Sequence, residues 1–339
     1  MTQLAAPAVD VAAAPAGAPA LATAVCCRDQ ADPRSYLSSL VELTKPRITR
    51  LVVITAAVGF ALGALGRAES GLALWLVLAA TLAGTALSAA GASAMNQWWE
   101  RRRDALMPRT IHRPIPSGRV GAGAALLTGT ALCLAGPAVL LLVGPLPALI
   151  SAFTILSYLL VYTPLKPVTP LATIIGAFPG ALPPLIGWTA ATALLPAGPP
   201  EPWLAPGGLG GWSLVLLMFV WQIPHFMAIA WMYRDDYAAG GFRMLPLADA
   251  DGSATSSVIL MWSIALVPAT VAPAFLMPYR LSPVYVTLAL ATGGAFCLAA
   301  AHFARTRTRH SARRLFLTSI IHLPLIMIGM VIDALVQTL

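Results

Sequence analysis

Apolar residues along this chain come in long blocks rather than in alternation. Nine stretches, about residues 47–66, 72–98, 121–143, 145–163, 171–195, 212–232, 254–276, 284–304 and 315–337, are almost wholly apolar. Each is long enough, at about 1.5 Å per helical residue, to cross a hydrocarbon core of about 30 Å. The pattern predicts an all-α, polytopic membrane helical bundle with nine transmembrane helices. Prolines interrupt several blocks (Pro179, Pro183 and Pro184; Pro224; Pro268 and Pro273). In a membrane bundle neighbouring helices satisfy the backbone groups that such prolines free. Ahead of the first block, residues 1–34 are rich in Ala and Pro, lack a long apolar run, and carry their only basic residues, Arg28 and Arg34, at the end. That order is the reverse of a signal peptide. It predicts a disordered tail over 1–34 and one membrane domain over 35–339.

Composition agrees with the pattern. The 339 residues are 58% hydrophobic and 10% charged, against about 25% charged in soluble domains, which excludes a soluble globular protein. Charge then orients the bundle. With nine spans, every one of the 21 Lys and Arg residues except Arg67 and Arg280 falls on the side that holds the N-terminus. The positive-inside rule makes that side cytoplasmic and the C-terminus external. The implied location is the inner (plasma) membrane of the cell, with a mitochondrial inner membrane as the lesser alternative. The net charge of +8 is accounted for by topology and attraction to anionic lipid, without a nucleic-acid partner. The cysteines Cys26, Cys27, Cys133 and Cys297 show neither metal-ligand spacing nor a disulfide framework.

Two basic-side loops hold the candidate chemistry. After the second block the chain reads Asn96-Gln-Trp-Trp-Glu100-Arg-Arg-Arg-Asp104, followed by Arg109, Arg113 and Arg119. Residues four apart share one helical ridge, about 6 Å of rise and about 40° of drift per step. Asn96, Glu100 and Asp104 therefore line up three oxygen-bearing side chains at a membrane–water boundary. Such a set suits Mg²⁺, which takes oxygen ligands, keeps several waters and bridges to phosphates. The plainer alternative is an interfacial cluster of i,i+4 ion pairs. The nearby bases, with Lys45 and Arg47 before the first block, match phosphate oxygens, so acids and bases together describe a site for a metal–diphosphate complex. The run Arg101 to Arg103 reads as topological.

After the sixth block comes Tyr233-Arg-Asp235-Asp236-Tyr237. Adjacent acids repel unless a cation relieves them. They point about 100° apart on a helix, so one of them, Asp236, is expected to face the site. Within the block, Trp221-Gln222-Ile-Pro-His225 places an imidazole in a span, where ionisable groups face the bundle interior and carry function. Contact with a bound ligand, a proton relay and a helix–helix hydrogen bond all remain open for it. His322 reads as a packing residue, and Asp249 and Asp251 as a solvated loop.

Together these segments resemble the UbiA-like intramembrane prenyltransferases and, within them, the protohaem IX farnesyltransferase branch. The matching stretches are Leu43-Thr-Lys45-Pro-Arg47, the Asn96 to Arg119 loop, Tyr162-Thr-Pro-Leu-Lys166, Ile175 to Trp188, Trp221 to His225, and Tyr233 to Pro246. They are spread in order over about residues 43–250. The chain departs from the pattern in having Glu100 where Asp is frequent, Arg102 where an acid is frequent, Pro167 after Lys166, and no second D-x-x-x-D, since Ala239 and Gly240 follow Asp235 and Asp236 by four.

The resemblance implies transfer of a farnesyl group from farnesyl diphosphate to a vinyl group of protohaem IX, giving haem O. It implies Mg²⁺ at Asn96, Glu100, Asp104, Asp235 and Asp236, and diphosphate at Lys45, Arg47, Arg109, Arg113 and Lys166. It places the haem near Trp221, Gln222, His225 and Tyr237, with haem-pathway or oxidase-assembly proteins as partners in the bilayer. A prenyltransferase for another aromatic or tetrapyrrole acceptor shares the acidic ridge. A transporter is disfavoured, because the acids gather at the ends of the spans and no internal repeat is evident.

Overall fold

The computed structural model describes residues 35–65, 71–193 and 206–338; the tail expected over 1–34 lies outside them. Among the described residues nine helices are long and apolar enough to cross a membrane, and we number them in order. They are α1 (Pro46–Ala64), α2 (Leu72–Asp104), α3 (Ala122–Leu141), α4 (Pro145–Leu165), α5 (Ala172–Thr192), α6 (Gly208–Met232), α7 (Ser253–Leu276), α8 (Pro283–Thr306) and α9 (Arg309–Thr338). The apolar windows of α5 and α6 are 78% and 67% buried, against 22–39% for the other seven, so these two form the centre. Neighbours in sequence pack side by side, and α6 meets α5, α7 and α9 while α9 also reaches α1. Large apolar side chains such as Leu127, Leu134, Phe275, Leu298 and Ile321 face outward. Lipid is their solvent.

Between α2 and α3 the close approach comes from small residues, Gly84, Ser88 and Gly91 against Gly129, Cys133 and Gly136, the packing that drives association where water is absent. Ser88 and Ser151 add a 2.7 Å hydrogen bond from α2 to α4. α1 crosses the second half of α5 at close range: a Cβ on Gly187 would lie 1.8 Å from the Ala56 carbonyl oxygen, and one on Gly59 1.9 Å from that of Pro184. Both contacts are to backbone, so Gly187→Ala can be accommodated only by separating the helices. It is expected to cost about 3 kcal/mol, the upper end of overpacking penalties, read as a lower thermal midpoint of the detergent-purified protein.

Two segments depart from the expected boundaries. α2 continues through Glu100 to Asp104, and α9 begins at Arg309 rather than near residue 315, which puts Arg309, Arg313 and Arg314 on a helix. Asp249 and Asp251, read from the sequence as a solvated loop, also have structural work. The Asp249 carboxylate accepts the Thr255 N–H at 2.6 Å and Asp251 accepts the Ser253 N–H at 3.3 Å, capping α7 where helix N–H groups lack partners. Arg307, in the left-handed region at φ 49°, donates to the Asp251 carbonyl at 2.8 Å and ties the α8–α9 turn to this cap. At the opposite end of the bundle, Asp333 accepts from the Ser282 backbone N–H at 2.6 Å and from its hydroxyl.

Candidate active site

Because α2 stays helical to Asp104, Asn96, Glu100 and Asp104 share a ridge, and all three are buried. Each meets a base from a different part of the chain. Lys166 Nζ donates to Glu100 Oε1 at 2.8 Å, Arg113 Nη1 to Asp104 Oδ2 at 2.7 Å, and Lys45 Nζ to Asn96 Oδ1 at 3.4 Å. From the α6–α7 loop, Asp236 lies 4.0 Å from Arg109, whose guanidinium stands over the Tyr233 and Tyr237 rings at 5.1 and 5.3 Å.

Local backbone explains how these side chains arrive. Lys45 adopts φ 49°, ψ 64° immediately before Pro46, doubly unfavourable because a β-carbon resists the left-handed region and a following proline resists helical angles. The turn is held by Gln97 Nε2, which donates to the Leu43 carbonyl at 2.6 Å. Strain of this kind is retained where surrounding contacts over-determine it. Lys166 follows a π-helical turn, Ser157–Tyr162, a feature that recurs at functional sites. The turn brings Tyr158 and Tyr162 beside the ammonium, 5.9 and 4.5 Å from the ring centroids to Nζ. Gly176 makes room for the Tyr162 ring, which a β-carbon there would meet at 2.4 Å.

Three loops on this side are tied into one rim. The Arg243 N–H donates to the Lys166 carbonyl at 2.9 Å, and Arg103 donates to the Gly240 and Gly241 carbonyls at 3.2 Å each. Arg103, read from the sequence as a topological charge, is therefore a strut. Arg119, also expected beside phosphate, instead binds Glu42, Ser39 and the His112 carbonyl.

Electrostatics separate the two lysines. Burial, with Arg113 and Lys166 adding repulsion, pulls Lys45 down to about 7. An approaching anion would favour its protonated form. Burial also opposes the Lys166 charge, but Tyr162, Glu100 and Tyr158 more than offset it and hold its pKa above the ordinary lysine value.

His225 lies apart from the ridge's contacts, stacked between Trp221 at 4.6 Å and Phe316 at 5.1 Å. Its Nδ1 is 2.6 Å from Ser319 Oγ, which itself donates to the Phe316 carbonyl at 2.6 Å. With the hydroxyl proton on that carbonyl, we assign the donor role to Nδ1–H. Nε2 then keeps its lone pair. Trp221 Nε1 donates to the Ser319 carbonyl at 2.9 Å, while Gln222 is buried and bonds the Ala177 and Met218 carbonyls.

The UbiA prenyltransferase family pattern matches residues 52–323. The chain belongs to the UbiA prenyltransferase family. Among its relatives it is 43% identical over 302 residues to the protoheme IX farnesyltransferase of Solibacter usitatus (strain Ellin6076), covering 86% of this chain and 97% of that one. With the protein of the same name from Opitutus terrae (strain DSM 11246 / JCM 15787 / PB90-1) it shares 41% identity over 300 residues, 88% of this chain and 95% of the relative. Solved structures agree on the fold. One of digeranylgeranylglyceryl phosphate synthase superposes with a TM-score of 0.70 at 15% identity, covering 88% of this chain and 98% of that one. A UbiA homolog from Archaeoglobus fulgidus bound to GPP and Mg²⁺ gives 0.61 at 14%, covering 86% and 99%. The nine-helix architecture is thus that of UbiA membrane enzymes.

Within this UbiA scaffold the expected residues sort unequally. Asn96, Glu100, Asp104, Lys45, Arg113 and Lys166 are brought together, while Asp236 pairs with Arg109 in a separate contact. Asp235 is not among them: its side chain is fully exposed and its ion-pair partner is Arg234, 4.0 Å away, so it leaves the metal set. Arg47 is exposed, and among the described residues no hydrogen bond or ion pair joins it to the ridge. Tyr237 groups with Arg109 and Phe242 rather than with His225. Gln222 serves helix packing. Thr163, whose hydroxyl lies 3.4 Å from Asn96 Nδ2, and Ser319, which orients His225, carry no motif signal and emerge only in three dimensions.

The fit to Mg²⁺ can be judged on the ridge itself. Asp104 Oδ1 is buried and has no hydrogen-bond partner, a condition that costs about 1–3 kcal/mol for a polar group and that a hard cation relieves. Among the described residues no three acidic, His or Cys side chains lie close enough to enclose a metal. The ridge oxygens suit an ion that draws its remaining ligands from water and phosphate, as Mg²⁺ does.

Proposed function

We propose that this chain joins farnesyl diphosphate to protohaem IX, forming haem O and releasing diphosphate. The observation that carries the reading is 43% identity across 97% of a protoheme IX farnesyltransferase, in a chain whose buried oxygen ridge is flanked by Lys45, Arg113 and Lys166. In the reaction the C1–O bond of the farnesyl diphosphate breaks and C1 bonds to the terminal vinyl carbon. Water then adds its hydroxyl to the inner vinyl carbon and a proton leaves.

Asn96, Glu100 and Asp104 are the residues that would hold Mg²⁺, with Asp236 the acid that would close on it from the α6–α7 loop; when bound, the ion would neutralise and orient the leaving diphosphate. The bases now paired with those acids exchange them for phosphate oxygens as the donor arrives. Lys45, Arg109, Arg113 and Lys166 then stabilise charge developing on the bridging oxygen from fixed positions. The apolar bundle beneath takes the farnesyl chain and keeps water from the allylic carbon before the acceptor reaches it. His225, with its Nε2 lone pair free of the Ser319 bond, is the residue we assign to haem contact. We infer that the basic face is cytoplasmic, in a plasma membrane, from the charge partition.

The direct test is incubation of the purified protein with haem B, farnesyl diphosphate and Mg²⁺, followed by mass spectrometry of the extracted haem. Appearance of haem O supports the reading, and unchanged haem B sinks it. His225→Ala is expected to weaken haem binding at least about tenfold, the loss of one strong contact of about 1.4 kcal/mol, with farnesyl diphosphate affinity unchanged. Equal haem titrations of variant and wild type would return His225 to packing.

A further inference from the structure

A cavity of about 650 Å³ opens between the end of α6 and the start of α9, outside the acid–base ridge. It falls within the roughly 300–1,000 Å³ of ligand sites. One part of its wall is basic: Arg309, His310 and Arg313, all exposed. Neither arginine has an ion-pair or hydrogen-bond partner among the described residues, a state they share with Arg305 and Arg314 off the wall, so it is their place on the cavity that sets them apart. The rest of the wall is apolar and aromatic, from Met232, Tyr233, Phe316 and Leu317.

Two wall residues connect the cavity to the machinery already described. Phe316 is the ring on which His225 stacks, and Tyr233 is one of the rings beneath Arg109. The cavity thus shares Phe316 with the His225 cluster and Tyr233 with Arg109. Its chemistry suits a ligand that is apolar over most of its surface and carries anionic groups for Arg309 and Arg313.

We propose that this cavity is the acceptor subsite, in which Arg309 and Arg313 bind the two propionates of the tetrapyrrole and Phe316 meets its apolar face. The inference rests on the haem reading above and assigns a site within it. Guanidinium forks match carboxylates in bidentate fashion, and both stand in the first turns of α9, where the helix dipole also favours an anion. Protohaem carries its propionates on the two pyrroles away from its vinyl groups. Holding the propionates at the basic rim therefore turns the vinyl edge toward the bundle.

The test titrates haem B and its dimethyl ester, read by porphyrin absorbance without turnover, into full-length protein in zwitterionic and in partly anionic nanodiscs. The variants are R309Q/R313Q and, as an equal-charge control off the cavity wall, R305Q/R314Q. The expected result is at least a tenfold loss of haem B affinity in R309Q/R313Q in both lipids, no change toward the dimethyl ester, and R305Q/R314Q within twofold of wild type. In turnover, R309Q/R313Q raises the KM for haem and leaves that for farnesyl diphosphate within twofold. Haem B affinity within twofold of wild type overturns the assignment. So does equal loss toward the ester, equal loss in the control, or a loss confined to anionic lipid, which would mark a headgroup site. The outcomes separate: a wild type that makes no haem O refutes the proposed reaction, whereas turnover by wild type with unaltered haem binding in R309Q/R313Q refutes the subsite alone.

Discussion

Asp104→Asn is expected to lower haem O formation at least about 100-fold, with the protein still present in the membrane at its normal level. Two oxygens make this position different from an ordinary buried acid. Oδ2 takes the Arg113 guanidinium at 2.7 Å, and Oδ1 is buried without a partner. Replacing the carboxylate by an amide removes the charge that a hard cation requires and sets an N–H₂ group where a ligand oxygen was. Loss of one preorganised electrostatic group typically costs about 100- to 1,000-fold in rate, about 2.7–4 kcal/mol. The fold is expected to tolerate the change better than the chemistry does, because the Arg113 side chain is partly exposed and can turn toward water once unpaired. Asp235→Asn serves as the contrast, since its side chain is fully exposed and remote from the ridge contacts. Haem extraction and mass spectrometry of both variants decides the matter: equal product from Asp104→Asn and wild type at physiological Mg²⁺ would falsify the assignment of the ridge.

Spans were legible because lipid leaves the chain few choices. Every backbone group must be satisfied within the segment, so runs of apolar residues of sufficient length can only be helices, and eight of the nine starts fall within a few residues of expectation. The ninth starts earlier than its apolar run, since Arg309, Arg313 and Arg314, which read as loop charges, lie on the helix; helices extend into the interface, and composition does not mark where the membrane ends. The ridge at Asn96, Glu100 and Asp104 was readable because helical spacing alone makes residues four apart neighbours. What spacing cannot supply is which side of a helix end faces in. It left Asp235 and Asp236 separable only by a guess at rotation, and it gave no hint that Arg119 would be taken by Glu42, or that Arg103 would brace the Gly240–Gly241 backbone. The residues that position others, Gln97, Thr163 and Ser319, are polar residues in apolar helices. Their partners are far away in sequence.

The second large effect concerns the pair at the centre of the site. Glu100 and Lys166 are both buried and 2.8 Å apart, joining α2 to the end of α4. Removing one member of such a pair leaves a buried charge without compensation, at a cost of about 3–5 kcal/mol. Glu100→Gln and Lys166→Met are therefore each expected to lower the thermal midpoint sharply. The double variant is a different case, because Gln and Met leave no charge behind, and replacing a buried pair by neutral groups of similar size is often close to neutral. Its midpoint is expected to return most of the way to wild type. Activity is expected to stay lost in all three, since the double variant regains packing but neither the oxygen for the cation nor the charge for the diphosphate. Thermal unfolding in detergent and haem O turnover on the same preparations separate the two roles. A double variant as unstable as the singles would mean the pair is not coupled, and one that recovers turnover along with stability would mean that Glu100 and Lys166 serve the fold alone.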